Sequence, residues 1–379
     1  MKHIFIAICI LLMSSTILFA GGQSEEENTA VTESTQIAEV PELNDEQLTL
    51  ASGPNGESAV RASEVVLSSE QIDKIREKNY TAAMLWAGSG DWYNAMSAGA
   101  SAVFKELGIE VLLKSDAQFE LAKQATDVET CLSLNPDIIL TLCVDPVSGA
   151  RAFQPAVDAG VTIVLADNGI DGFTAGNQYA SVVTGDHFGM GRAAAELMND
   201  ILNGNGKVGF IYHDADFFVT NNRDNEFKRT IESKYNGIDI IAESGITDEA
   251  KTESIAAAML TRYPDVNGIY VAWDVAAEGV IAALRAVGRD DVKVVTHDLG
   301  ATNDLDMAMD GNMAGKVADL PYDIGMCMAR IAALKLIGQE VPPFVVAPSI
   351  KVQKDNIEEA WMISLRKKPP KNILTVLNQ

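Results

Sequence analysis

Basic residues are scarce. The 379 residues include 29 Lys and Arg against 53 Asp and Glu, a formal net charge of −24 at pH 7. A chain this acidic repels polyphosphate, which excludes nucleic acid and anionic membrane surfaces as partners. The acid excess serves solubility, or attraction of a cationic ligand. Catalytic signatures are also missing. There is no G-x-x-x-x-G-K-[ST] and no H-E-x-x-H, and the pair Gly189 and Gly191 lacks a third glycine, so neither a nucleotide fingerprint nor a cofactor is expected. The chain has four histidines, and His187, His213 and His297 each adjoin an aspartate, as a metal ligand with its orienting carboxylate would. Three such pairs arise by chance in so acidic a chain, and no metal is expected. Beyond Cys9, the cysteines are Cys131, Cys143 and Cys327, an odd number without metal-ligand spacing, which reads as buried thiols.

The start of the chain has a basic residue at Lys2, an apolar core from Ile4 to Met13 and small residues around Ala20-Gly21-Gly22. That order predicts a secretory signal peptide over 1–20 and export to the periplasm. Ser14-Ser15-Thr16 interrupts the apolar run and no basic flank follows, which argues against a retained anchor. Cys9 stands too close to the start to be a lipidation site. From Gly21 to Val60 there are nine acids, no Lys or Arg and no aromatic residue. Such a segment cannot bury enough apolar surface to offset its ordering entropy, so 21–67 reads as an acidic disordered spacer. Folding is expected to begin at Ser68-Ser69, where a capping serine opens a helix.

From Tyr80 the pattern is strand, loop, helix, recurring every 25 to 30 residues. Ten apolar runs read as strands: Ala82-Ala87, Glu110-Leu113, Asp137-Leu142, Val161-Ala166, Ser181-Val183, Lys207-Tyr212, Ile238-Ala242, Gly268-Ala272, Val292-Thr296 and Met313-Ala318. Most are continuous instead of alternating, as strands covered on both faces of a parallel sheet must be. The fold class is therefore α/β with βαβ connections. Ten strands are many for one open sheet, so two doubly wound parallel-sheet lobes joined by a multi-strand hinge fit better. The expected lobes are 78–184 plus 320–346 and 185–319 plus 347–379. Their crossings fall near Val183-Asp186, at Leu320-Pro321 and around Pro342-Val346.

In open α/β sheets ligands lie beyond the carboxyl ends of the strands. Polar and aromatic residues follow nearly every strand here. Trp92 and Tyr93 sit in a glycine-opened loop, either as the packing staple of the next helix or as a stacking platform. Phe119 follows the second strand, Asp167-Asn168 the fourth, Asn222-Arg223 the sixth, Trp273-Asp274 the eighth and Asp298 the ninth, while Asp319 closes the tenth. Any one aspartate could be a helix N-cap, but the set suits a hydroxyl-rich ligand, since carboxylates accept and arginine donates in a fork.

Residues 78 to 355 resemble the ribose-binding-protein-like periplasmic binding proteins, the type I receptors of bacterial ABC sugar importers. The resemblance rests on Trp92-Tyr93, on Arg223 opening the helix after the sixth strand, on Asp298 in an Asp-x-Gly turn, and on Asp319-Leu320-Pro321 before a helix. It implies a non-enzymatic, monomeric receptor that closes over a small sugar or polyol and delivers it to a permease in the membrane. It further implies that Trp92, Tyr93 and Trp273 stack on the ligand, that Asp167, Asp298 and Asp319 accept from it, and that Arg223 and Asn222 donate. Asn168 stands where the family has arginine, Trp273 where it has an amide, and Asp319 replaces an amide. Those departures leave the ligand open between a polyol, a larger sugar and an amine. A sensory receptor without transport is the other reading.

Overall fold

The computed structural model describes residues 40–379. The expected signal peptide over 1–20, Cys9 and the first part of the expected spacer lie outside the described residues.

Residues 40–67 are not a spacer. A six-residue helix, Asp45–Leu50, is closed at its start by a reciprocal capping box between Asn44 and Gln47. Leu43 and Ala51 on either side of it are buried. Strand β1 (Val60–Arg61) joins a sheet. Composition averaged over the window hid both the apolar spacing of Leu43, Leu48 and Ala51 and the effect of Arg61, one residue past the acid-only run. Arg61 Nε donates to the Leu43 carbonyl at 2.8 Å and its Nη atoms reach Glu64 and Asp45. One base thus pairs with two of the local acids and ties the segment's two ends together.

The first lobe continues through β2 (Thr81–Trp86), β3 (Glu110–Asp116), β4 (Ile138–Thr141), β5 (Thr162–Ala166) and β6 (Val182–Gly185). The chain then crosses to β7 (Gly206–His213), β8 (Ile238–Ile246), β9 (Gly268–Val271), β10 (Lys293–His297) and β11 (Met313–Ala318). After a helix at Pro321–Leu336 it adds β12 (Phe344–Ala347) to the first sheet and β13 (Ile350–Val352) to the second. The sheet orders are β1-β12-β6-β5-β4-β2-β3 and β13-β11-β10-β9-β7-β8. Every pairing is parallel except β11 with β13. Strands β1, β12 and β13 are additions to the ten runs read from the sequence. Phe344–Ala347, expected within a crossing, forms an inner strand with all four residues buried.

β4, β6 and β9 are also buried at every residue, because helices cover both faces of each sheet. Two apolar clusters result in each lobe. One of the first lobe's contains Met84, Phe104 and Ile331, and the other Leu85, Phe153 and Val182. In the second lobe they form around Trp361 and Val271, and around Phe227 and Tyr270. Helices Asp91–Leu107 and Pro321–Leu336 meet backbone to backbone. A Cβ on Gly99 would overlap the Tyr322 carbonyl, and one on Gly325 would overlap that of Met96. Three crossings, at Gly185-Asp186, Asp319-Leu320 and Pro348-Ser349, join the lobes. No helix among the described residues is long and apolar enough to cross a membrane. Cys131, Cys143 and Cys327 are buried free thiols.

Candidate functional site

With β1, β12 and β13 set aside, the two sheets share one order. β6-β5-β4-β2-β3 corresponds to β11-β10-β9-β7-β8. Asp167 and Asp298 are therefore equivalent, each the first residue after its strand, and both adopt left-handed backbone with φ of 59° and 65°. That conformation is unfavourable for a residue with a Cβ and is kept where it aims a side chain. Asp186 and Asp319 form the second equivalent pair, with different roles. Asp186 caps the helix His187–Ile201 by accepting from Gly189 N at 2.9 Å. The helix after Asp319 begins with proline and has no side-chain cap, so the Asp319 carboxylate accepts instead from Trp92 Nε1, 3.0 Å from both oxygens.

On the second-lobe side, Arg223 Nη1 donates to Asp298 Oδ2 at 3.0 Å. Three neighbouring polar atoms are buried with no partner among the described residues: Arg223 Nε, Asn222 Nδ2 and Asp298 Oδ1. Behind them Asp224 accepts from His213 N at 2.9 Å and from the Tyr270 hydroxyl at 2.6 Å, and His297 Nε2 lies 2.9 Å from that hydroxyl. Burial works to lower the Arg223 guanidinium, but Asp298, Tyr270 and Asp224 outweigh it and hold it above its ordinary value. Burial pushes Asp224 up to about 6. Burial and the Arg223 charge keep His297 well below the usual imidazole range.

On the first-lobe side, Asp167 Oδ1 accepts from Thr184 Oγ1 at 2.8 Å, and the same hydroxyl lies 2.7 Å from His187 Nε2. Asp319 packs over Gly185, beside the His187 ring. Burial, reinforced by Asp298 and Asp167, raises the Asp319 carboxyl well above the usual carboxylate range. Trp92 meets Tyr93 edge-on at 5.0 Å, and Tyr93 meets Phe119 edge-on at 6.5 Å. Burial first, then the charges of Asp167, Asp116 and Glu249, raises the Tyr93 phenol.

The structure thus brings Trp92, Asp167, Asn222, Arg223, Asp298 and Asp319 to the junction of the lobes, with Tyr93 behind Trp92. Asn168 accepts from Val219 N across the junction at 3.4 Å, so its oxygen serves lobe contact. Phe119 is 64% exposed, folded over Gly88. Trp273 is tethered by Nε1 to Glu249 at 3.1 Å and stands edge-on to His213 at 5.0 Å. Asp274 leans on the Gly300 turn while its carbonyl accepts from Asn303. It keeps some solvent contact, yet desolvation, opposed by Lys316 and aided by Asp298, pushes its carboxyl up to about 7. Thr184, Glu249 and the Asp224–Tyr270 pair were not legible as site residues. Thr184 lies inside an apolar strand and Glu249 in the five-residue connection after β8, and neither position carries a sequence signal. Among the described residues no group of three His, Cys, Asp or Glu is placed to hold a metal ion.

Known proteins match this architecture. The ribose import binding protein of Bacillus subtilis is 24% identical over 264 residues, 69% of this chain and 84% of that protein. A carbohydrate transporter solute-binding protein from Agrobacterium radiobacter, in complex with D-arabinose, superposes with a TM-score of 0.66 at 21% identity, covering 76% of this chain and 99% of that one. A solute-binding protein from Bacillus halodurans with bound myo-inositol gives 0.64 at 22%, over 74% and 96%. Residues 82–340 match the model of the periplasmic binding protein domain, and with two parallel-sheet lobes around this junction the chain belongs to that family.

Proposed function

We propose that the protein is the receptor component of an ABC importer, capturing a small sugar or polyol between its lobes and handing it to a membrane permease from the periplasmic side. The observation that carries this reading is the trio of buried, unpartnered polar atoms at the junction, Asn222 Nδ2, Arg223 Nε and Asp298 Oδ1. Leaving such groups unmade costs about 1–3 kcal/mol each, and a ligand with vicinal hydroxyls supplies both acceptors and donors for them. The strand-end location, the paired strained aspartates and the sugar- or inositol-bound relatives support the same conclusion. Binding would favour the closed form because only there do both lobes contact the ligand. No chemical step is involved. Calorimetric titration with pentoses, hexoses and inositols, repeated on Asn222→Ala, tests the reading. The Asn222 amide nitrogen bonds nothing among the described residues, so its loss spares the fold but should weaken binding about tenfold. Unchanged affinity in the variant for the compound that binds, or no binding by any of these compounds or their amino derivatives, would overturn it.

A further inference from the structure

Among the described residues, two of the three carboxylates at the junction have no basic side chain to neutralise them. Arg223 is committed to Asp298 at 3.0 Å. Asp319 is only 3% exposed and is held by an indole N–H alone, while Asp167, 6% exposed, is held by the Thr184 hydroxyl. The other basic group facing this cluster is His187, whose Nε2 lies 3.7 Å from Asp167 Oδ1 and is occupied by Thr184. Asp116 and Glu249 add negative charge around Tyr93. Carboxylates in low dielectric are costly unless a proton or a cation neutralises them. The unpartnered Arg223 Nε and Asn222 Nδ2 call for acceptor oxygens, whereas this acidic side calls for a donor with charge. An indole and a phenol ring beside the acids further favour a cation.

We propose that the solute carries a protonated amine as well as hydroxyl groups, the amine seated between Asp167, Asp298 and Asp319 and the hydroxyls on Arg223 and Asn222. The proposal rests on the receptor reading above and names the ligand as an amino sugar or amino polyol. An ammonium offers three N–H donors, one for each carboxylate. Its positive charge neutralises carboxylates that no lysine or arginine among the described residues reaches.

Matched pairs measured by calorimetry at pH 7.5 test this: glucose with glucosamine, galactose with galactosamine, myo-inositol with an inosamine, and sorbitol with 1-amino-1-deoxysorbitol. N-acetylglucosamine, which keeps the nitrogen but loses the charge, is the control. At least one amine should bind tenfold or more tightly than its neutral parent, with the N-acetyl compound no better than that parent. In Asp319→Asn and Asp167→Asn the preference should shrink to about twofold. Neutral parents that bind as well as or better than their amines would overturn the amine proposal and leave the receptor reading standing. If neither member of any pair binds the folded protein, both fall.

Discussion

Lys316 and Asp304 form an ion pair of 2.7 Å in which neither side chain is exposed, and Trp361 Nε1 donates to the other carboxylate oxygen at 2.8 Å. Lys316→Met keeps most of the side chain's volume and removes its charge. Asp304 is then left charged beside an indole in the second-lobe core. Breaking a buried pair from one side costs about 3–5 kcal/mol. At about 2–4 °C per kcal/mol for a protein of this size, the melting temperature should fall by about 6–20 °C. Scanning calorimetry of wild type, Lys316→Met, Asp304→Leu and the double variant measures both the loss and the coupling. The double variant should recover most of the loss, because apolar side chains of similar volume replace buried ion pairs at little net cost. What remains is the acceptor lost by Trp361, about 1 kcal/mol. A fall of under about 2 °C in the single variant, or additive losses in the double, would refute the reasoning.

Burial raises Asp224 to about 6 and Asp274 to about 7, so the folded state holds these protons more tightly than the unfolded chain. Their stabilisation is complete below the ordinary carboxylate range and is lost as pH rises through 6 to 7, about 3 kcal/mol for Asp224 at 1.36 kcal/mol per unit. Asp224→Asn should flatten the decline of melting temperature between pH 4.5 and 8, and an unaltered slope would contradict this account. Gly99→Ala and Gly325→Ala each drive a methyl group into a facing helix carbonyl, and each should cost about 1–3 kcal/mol in denaturant unfolding. Arg61→Ala removes the bonds that tie residues 40–67 together. Limited proteolysis should then cut within that segment first while the lobes stay resistant.

The two lobes were legible because strands buried on both faces need unbroken apolar runs, and Ile138–Thr141 and Gly268–Val271 are such runs. Asp298 and Asp319 were legible for the same reason, as acids ending apolar strands at a turn. Trp273 and Asp274 fit that pattern equally well, yet the fold engages them with Glu249 and the Gly300 turn. Position after a strand fixes where a side chain starts, while a neighbour distant in sequence decides what it touches. The equivalence of Asp167 with Asp298 was hidden because it depends on strand order, which local pattern does not encode. Residues 40–67 were misread because composition does not show that Arg61, just past the acid-only run, pairs with Asp45 and Glu64 and bonds the Leu43 carbonyl.

Strand β1 is two residues long and pairs Val60 with Val345 and Arg61 with Val346. Without it, the wholly apolar Phe344–Ala347 would be the margin of the first sheet. Open margins of that kind recruit strands from other molecules, and a short cap carrying a charge is a common defence. Trimming the acidic segment to Ser68 in recombinant work would thus uncover that margin, and self-association with loss of solubility should follow before any loss of affinity.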